Sequence, residues 1–200
     1  PLITKTKRGS KMKKLLVALT GLALYLSAPL LMAQEEEAPQ RFTYATYFWC
    51  DAGKEGPADD YVMRNGELYD QMVEDGDILG WGWMSHHTGG LWRRLRWHQT
   101  DSLESAVAAT GAMAAAVEEK YGEDDEGGMA FAEACPQHVD YVWQVENGTV
   151  GVQRGKVAFS VYHRCDIGRE ERADEIVAEH VAPIMNKMVE DGDLASWGWQ

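Results

Sequence analysis

From Phe42 to Cys50 the chain reads FTYATYFWC, aromatic and β-branched at almost every position, and this predicts a strand. From Ala58 the apolar period lengthens. Tyr61, Asn65, Leu68 and Met72, with Val62, Tyr69 and Val73 beside them, fall on one face of a helix that Gly76 stops. Residues 78–85 and 91–99 predict two more strands, joined by HHTGG, whose paired glycines suit a hairpin turn. Asp101 and Glu104 read as an acidic capping box for a helix running through Leu103, Val107, Ala114 and Val117 to about Tyr121. GEDDEGG, residues 122–128, predicts a solvated loop, residues 129–134 a helical turn, and residues 138–145 a fourth strand.

The order β-α-β-β-α-β predicts an α+β, ferredoxin-like unit with two helices on one face of a four-stranded antiparallel sheet. A second pattern overlies the first. MVEDGDILGWGWM, from Met72, returns as MVEDGDLASWGWQ from Met188, a spacing of 188 − 72 = 116 residues. Residues 157–165, VAFSVYHRC, repeat the first strand, with Cys165 answering Cys50 at 165 − 50 = 115. Val177 lies over Tyr61, Ile184 over Leu68, and one extra residue is expected in the loop between strand and helix. Pro183 predicts a kink or break in the repeated helix. A period this long is a whole folded unit, so a tandem architecture is expected. Its parts are residues 42–148 as a first unit, 149–156 as a connector and 157–200 as an incomplete second unit, with further chain expected beyond Gln200. Asn147-Gly148-Thr149 matches a glycosylation acceptor and reads as the turn after the fourth strand.

The first 33 residues have a different character. KMKK at residues 11–14 is followed by an apolar run to Ala33, the pattern of upstream residues and a secretory signal peptide cleaved after Ala33, with an uncleaved anchor as the alternative. Residues 34–41 form an acidic linker. Export to the periplasm or outside the cell is therefore expected. Removing the six basic residues before Gln34 leaves 13 Lys+Arg against 32 Asp+Glu, a balance of 13 − 32 = −19 that argues against nucleic acid or an anionic membrane as partner once the signal is cleaved. Against that background Arg93, Arg94 and Arg96 stand within four residues of one another.

A ferredoxin-like unit leaves the sheet face opposite its helices uncovered, and two such faces together make a barrel. YFWCD, WGWMSHHTGG, WRR and CPQHVDYVW, with the element order, resemble the dimeric α/β-barrel superfamily, which includes antibiotic-biosynthesis-monooxygenase-like and stress-responsive barrel proteins. The likeness implies self-association through the sheet face, made intramolecular in the full-length protein by the repeat, and a cavity whose occupant is open.

Trp81 and Trp83 alternate on the second strand, and Trp197 and Trp199 repeat them, as core or as a stacking wall. On the third strand Trp92, Arg94, Arg96 and His98 share one face, expected to line a pocket for a planar anion or to face solvent. Leu91, Arg93, Leu95 and Trp97 share the other, expected to pack on the helices. His86, His87 and His98 are candidate proton-transfer groups, and no metal is expected because His86 and His87 lack further ligands at suitable spacing. No Walker loop, nucleophile elbow or dinucleotide fingerprint occurs, so no built-in cofactor is expected. The leading expectation is an exported barrel that binds a small aromatic or anionic molecule. A cofactor-independent monooxygenase and a self-associating structural barrel are the alternatives. In the predicted topology Cys50 ends the first strand beside the start of the fourth, where Cys135 stands; this predicts a Cys50–Cys135 disulfide and a free Cys165.

Overall fold

The computed structural model describes residues 40–150 and 155–200. The expected signal segment and most of the linker lie outside the described residues. Strand β1 (Arg41–Trp49) leads to α1 (Gly56–Arg64), α2 (Gly66–Asp75), β2 (Gly80–Ser85), β3 (Arg94–Thr100), α3 (Leu103–Tyr121), α4 (Glu126–Ala134) and β4 (Gln137–Val145). The strands make one antiparallel sheet in the order β2-β3-β1-β4. That order, with helices on one face, is the ferredoxin-like arrangement read from the sequence.

Local chemistry explains the boundaries, including those that depart from expectation. Pro57 sits in the first turn of α1, where a missing N–H costs nothing. The single helix expected over residues 58–76 is two, parted at the fully buried Asn65. Gly76, at φ 82°, ends the second of them in the left-handed conformation that glycine adopts freely. The cap of α3 is Ser102, not Asp101: the Ser102 hydroxyl accepts the Ser105 N–H at 3.1 Å. Asp125 caps α4 in the same way through Gly127 N–H, so the solvated loop is shorter than expected and the helical turn grows to nine residues. The β2–β3 connection is an eight-residue excursion rather than a tight hairpin, with Gly89 and Gly90 at positive φ and His86 N–H bonded to Arg93 O at 3.0 Å.

Between sheet and helices the core has two centres. Tyr69, Met72, Ile78, Ala109 and Met113 pack together beneath α2 and α3. Phe48, Ala58, Ala134 and Cys135 pack under α1 and α4. The Cys50–Cys135 disulfide staples the end of β1 to the start of β4, with Cα atoms 3.8 Å apart. Cys165 is free and exposed. The opposite sheet face is also apolar: Ala45, Tyr47 and Leu95 are buried, with Trp49, Met84, Trp92, Trp97, Val139 and Trp143 around them.

After β4 the connector is not a plain loop. Asn147–Val150 is strand β5, and it pairs antiparallel with β6 (Ser196–Trp199). Residues 157–165 do not form the expected strand, because no strand among the described residues runs alongside to complete a ladder; Val157 and Phe159 are 91% and 92% exposed. The following helix is α5 (Glu170–Ile176), a π-turn (Val177–Val181) and α6 (Ala182–Glu190). The expected irregularity at Pro183 takes the form of this π-turn just before it.

The π-turn also relocates the extra residue of the repeat. ADDYV at residues 58–62 matches ADEIV at 173–177 with the spacing 173 − 58 = 115 still in force. From Ile184 the spacing is 116, so the extra residue lies within Val177–Val181 and not in the preceding loop. A π-turn is how a helix holds one residue too many.

Candidate functional site

The third strand presents its faces the opposite way from the expectation. Arg94, Arg96 and His98 point under the helices, whereas Leu95 packs on the other face with Tyr47. Trp92 departs from its expected companions: it precedes the regular strand and packs edge-on against Tyr47, ring centroids 5.2 Å apart, on that other face. The arginines turn inward because the helices supply their partners. Arg94 makes a two-pronged ion pair with Asp59 of α1, Nε to Oδ1 at 2.7 Å and Nη2 to Oδ2 at 2.6 Å. Hydrogen bonding from Arg94, which outweighs the opposing effect of burial, holds the Asp59 carboxyl below its ordinary range. Arg93 Nε donates to Glu55 Oε1, at the N-cap of the same helix, at 2.9 Å.

The two tryptophans of β2 share the helix face, as their alternation predicts. Trp83 Nε1 donates to Asp59 Oδ1 at 2.8 Å, and its ring lies 5.7 Å from that of Phe48. Trp81 stacks on Tyr69 at 4.5 Å and donates to Asp70 Oδ1 at 2.8 Å. Both bonds recur in the second half of the chain. Trp199 Nε1 donates to Asp174, the counterpart of Asp59, and Trp197 Nε1 to Asn186, the counterpart of Asp70. An indole tied to a helix is thus a repeated device, and the helix partners are what the sequence reading missed. The signal was present in the recurrence of Ala-Asp at residues 58–59 and 173–174.

Arg96 is the member of the expected set whose charge is not spent. Its Nη1 donates to the Tyr69 hydroxyl at 3.2 Å and its Nη2 reaches Thr46 Oγ1 at 3.4 Å, while the guanidinium stands 5.9 Å above the Phe48 ring. Among the described residues it has no ion-pair partner. Next along the strand, His98 is 4% exposed, stacks on Tyr44 at 5.2 Å and gives its Nε2 hydrogen to Ala106 O at 2.8 Å. Burial, opposed in part by that bond, lowers its pKa and keeps the ring neutral. A cavity of about 10 Å3, space for one water-sized group, lies against Arg96, His98, Tyr69 and Thr110. Thr110 Oγ1 is buried there and makes no hydrogen bond of ordinary geometry among the described residues.

The three candidate histidines do not converge. His98 faces Trp81 in the β2–β3 register, at the far end from the connection that carries His86 and His87. His86 is stacked on Trp92 at 4.0 Å, with Nδ1 2.7 Å from Trp92 O, and His87 is exposed. Among the described residues no group of three His, Cys, Asp or Glu side chains is arranged to hold a metal ion, and no helix is long and apolar enough to cross a membrane.

No family model matches the chain, and no curated protein does. Two solved structures are similar to part of it. A dimeric ferredoxin-like protein from an uncultured marine organism is 12% identical, over 53% of this chain and 92% of its own, with a TM-score of 0.35. A dimeric protein of unknown function and ferredoxin-like fold from Bacteroides fragilis is also 12% identical, over 52% of this chain and 95% of its own, with a TM-score of 0.31.

Proposed function

We propose that the chain is an exported, barrel-forming protein that binds a small anionic molecule between sheet and helices at Arg96. The observation that carries this reading is the half-buried Arg96 guanidinium, which faces two hydroxyls and a ring but no carboxylate among the described residues. A cation removed from water without a counter-charge is costly, and an anion that enters beside it removes the cost. Guanidinium pairs with carboxylates and oxyanions through two parallel hydrogen bonds, and Trp81 and Tyr69 offer stacked rings for an aromatic acid. The cavity beside Arg96 has room for one water-sized group, so a larger ligand enters as α2 and α3 part. Arg94 is held by Asp59, and Trp83 by the same carboxylate, so both support the site rather than contact the ligand.

The barrel part of the proposal takes residues 157–200 as belonging to a second ferredoxin-like unit. The repeated indole bonds and the pairing of β5 with β6 support it. Export is supported by the signal-like first 33 residues and by a disulfide, which persists in oxidising compartments.

The test is calorimetric titration of the chain with a panel of small carboxylates, aromatic acids and phosphate, with oxygen consumption recorded for each. A member of the panel should bind, and Arg96→Ala should weaken it by at least about tenfold, the loss of one charge-assisted contact. Lys54→Ala, which removes an exposed cation, should leave binding unchanged. Equal losses in both variants, or no binding by any compound, would overturn the assignment.

A further inference from the structure

On the helix face of the sheet Arg96 stands in a row with residues of the next two strands: Thr46 of β1 is its Cα partner, and Asp140 of β4 is the Cα partner of Thr46. Paired residues of adjacent strands point to the same face, so the row runs cation, hydroxyl, carboxylate in steps of about 5 Å. Taking Arg96 as the partner of an anionic group, as proposed above, we infer that the bound molecule is an α-amino acid. Its carboxylate sits on the Arg96 guanidinium and its ammonium on the Asp140 carboxylate, across Thr46.

Arg96 Nη2 reaches Thr46 Oγ1 at 3.4 Å, which brings the guanidinium along the row to within about one strand spacing of Asp140. Among the described residues the two charges form no ion pair with each other, so a molecule that carries both signs has a gap to bridge. Asp140 is within reach of such a molecule. Its side chain is 36% exposed, and its ion-pair contact, His138 Nε2 at 3.5 Å, is a long one. His138 and Val142, its neighbours on the same face of β4, are exposed as well, so the helices leave this flank of the site open. The Tyr44 phenol feels both charges: burial first and the Asp140 carboxylate second raise its pKa, while Arg96 lowers it. Asp140 therefore acts inward on the site as well as outward on water. The order of charges selects the occupant. A dicarboxylate or a phosphate dianion meets Asp140 as a like charge and a simple amine meets Arg96 as one, whereas an amino acid satisfies both.

The test is calorimetric titration of the chain with matched compounds, alanine against propanoate and phenylalanine against 3-phenylpropanoate, with 2-phenylethylamine as the amine alone. In at least one pair the amino acid should bind about tenfold or more tightly than the acid. The amine should bind more weakly than phenylalanine. Asp140→Asn should abolish the preference and leave the acid's affinity unchanged or raised, while Arg96→Ala should weaken acid and amino acid alike. The preference is read on the parent chain, so it decides even where a variant fails to fold. If the acids bind through Arg96 but the amino acids bind no better, the amino-acid assignment is overturned and the anion site stands. If no compound of either kind binds, both fall. Equal losses of acid and amino acid in Asp140→Asn would also overturn the assignment, leaving Asp140 a structural part.

Discussion

The hydroxyl of Tyr47 lies 3.0 Å from that of Tyr162, and the two residues occupy the same place in the repeat, 162 − 47 = 115 positions apart. The contact joins two positions that the sequence repeat matches. Burial first, and the neighbouring phenol second, raise the pKa of Tyr47, so its own hydroxyl stays protonated through ordinary pH. Tyr47→Phe and Tyr162→Phe should each cost about 1 kcal/mol in denaturant unfolding, and the double variant should cost less than the sum of the two. Strict additivity would show that the contact does not form.

Asp59 joins Arg94 and Trp83, so removing either end of the ion pair leaves unpartnered groups beneath the helices. Arg94→Ala should cost about 2 kcal/mol, and Asp59→Asn less, because an amide still accepts the indole hydrogen. The pKa of Asp59 in the folded chain lies below its ordinary 3.8, so its contribution is present above that value and fades as pH falls through the folded pKa. Acid titration of unfolding free energy below pH 4 should be shallower in Asp59→Asn than in the parent chain.

His98 acts in a different pH window. Its folded pKa lies below the ordinary 6.5, so the unfolded chain takes up a proton while the folded chain does not. Stability is complete above 6.5 and declines as pH drops from there toward the folded value. His98→Gln should be less stable at pH 7.5 and lose this slope between pH 6.5 and 5. A slope that survives the substitution would assign it to another group.

The disulfide closes a loop of 85 residues. Cys50→Ala with Cys135→Ala should lower unfolding free energy by roughly 2 to 4 kcal/mol in the chain-entropy view. Cys165→Ser, an exposed site, should lie within about 0.5 kcal/mol of the parent. Reductant should lower the melting temperature of the parent and leave the double alanine variant unmoved.

The strand order was legible because element spacing constrains it, and the Cys50–Cys135 bond follows from that order. The faces of β3 were not legible. Leu95 and Trp97 read as the helix side by their apolarity, but in this sheet both faces are covered by apolar side chains, and alternation then loses its meaning. Arg94 read as outward because it is charged; its carboxylate partner sits 35 residues earlier, on an element whose placement no local pattern gives. Residues 157–165 carried a good strand signature, yet a strand is a property of its neighbours as much as of its own residues.

The π-turn at Val177–Val181 sets the rotational phase of the helix that holds both repeated indoles. In the first half the anchors Asp59, on α1, and Asp70, on α2, are 70 − 59 = 11 residues apart across the break at Asn65, and both reach β2. In the second half Asp174 and Asn186 are 186 − 174 = 12 residues apart, and a regular helix would swing one of them about 100° further round its axis, away from Trp197 or Trp199. One wide turn takes up that surplus residue as angle. The repeat therefore tolerates a change in length where a uniform helix would have lost one of its two moorings, and the register of the paired tryptophans, rather than the helix itself, is what the two halves hold in common.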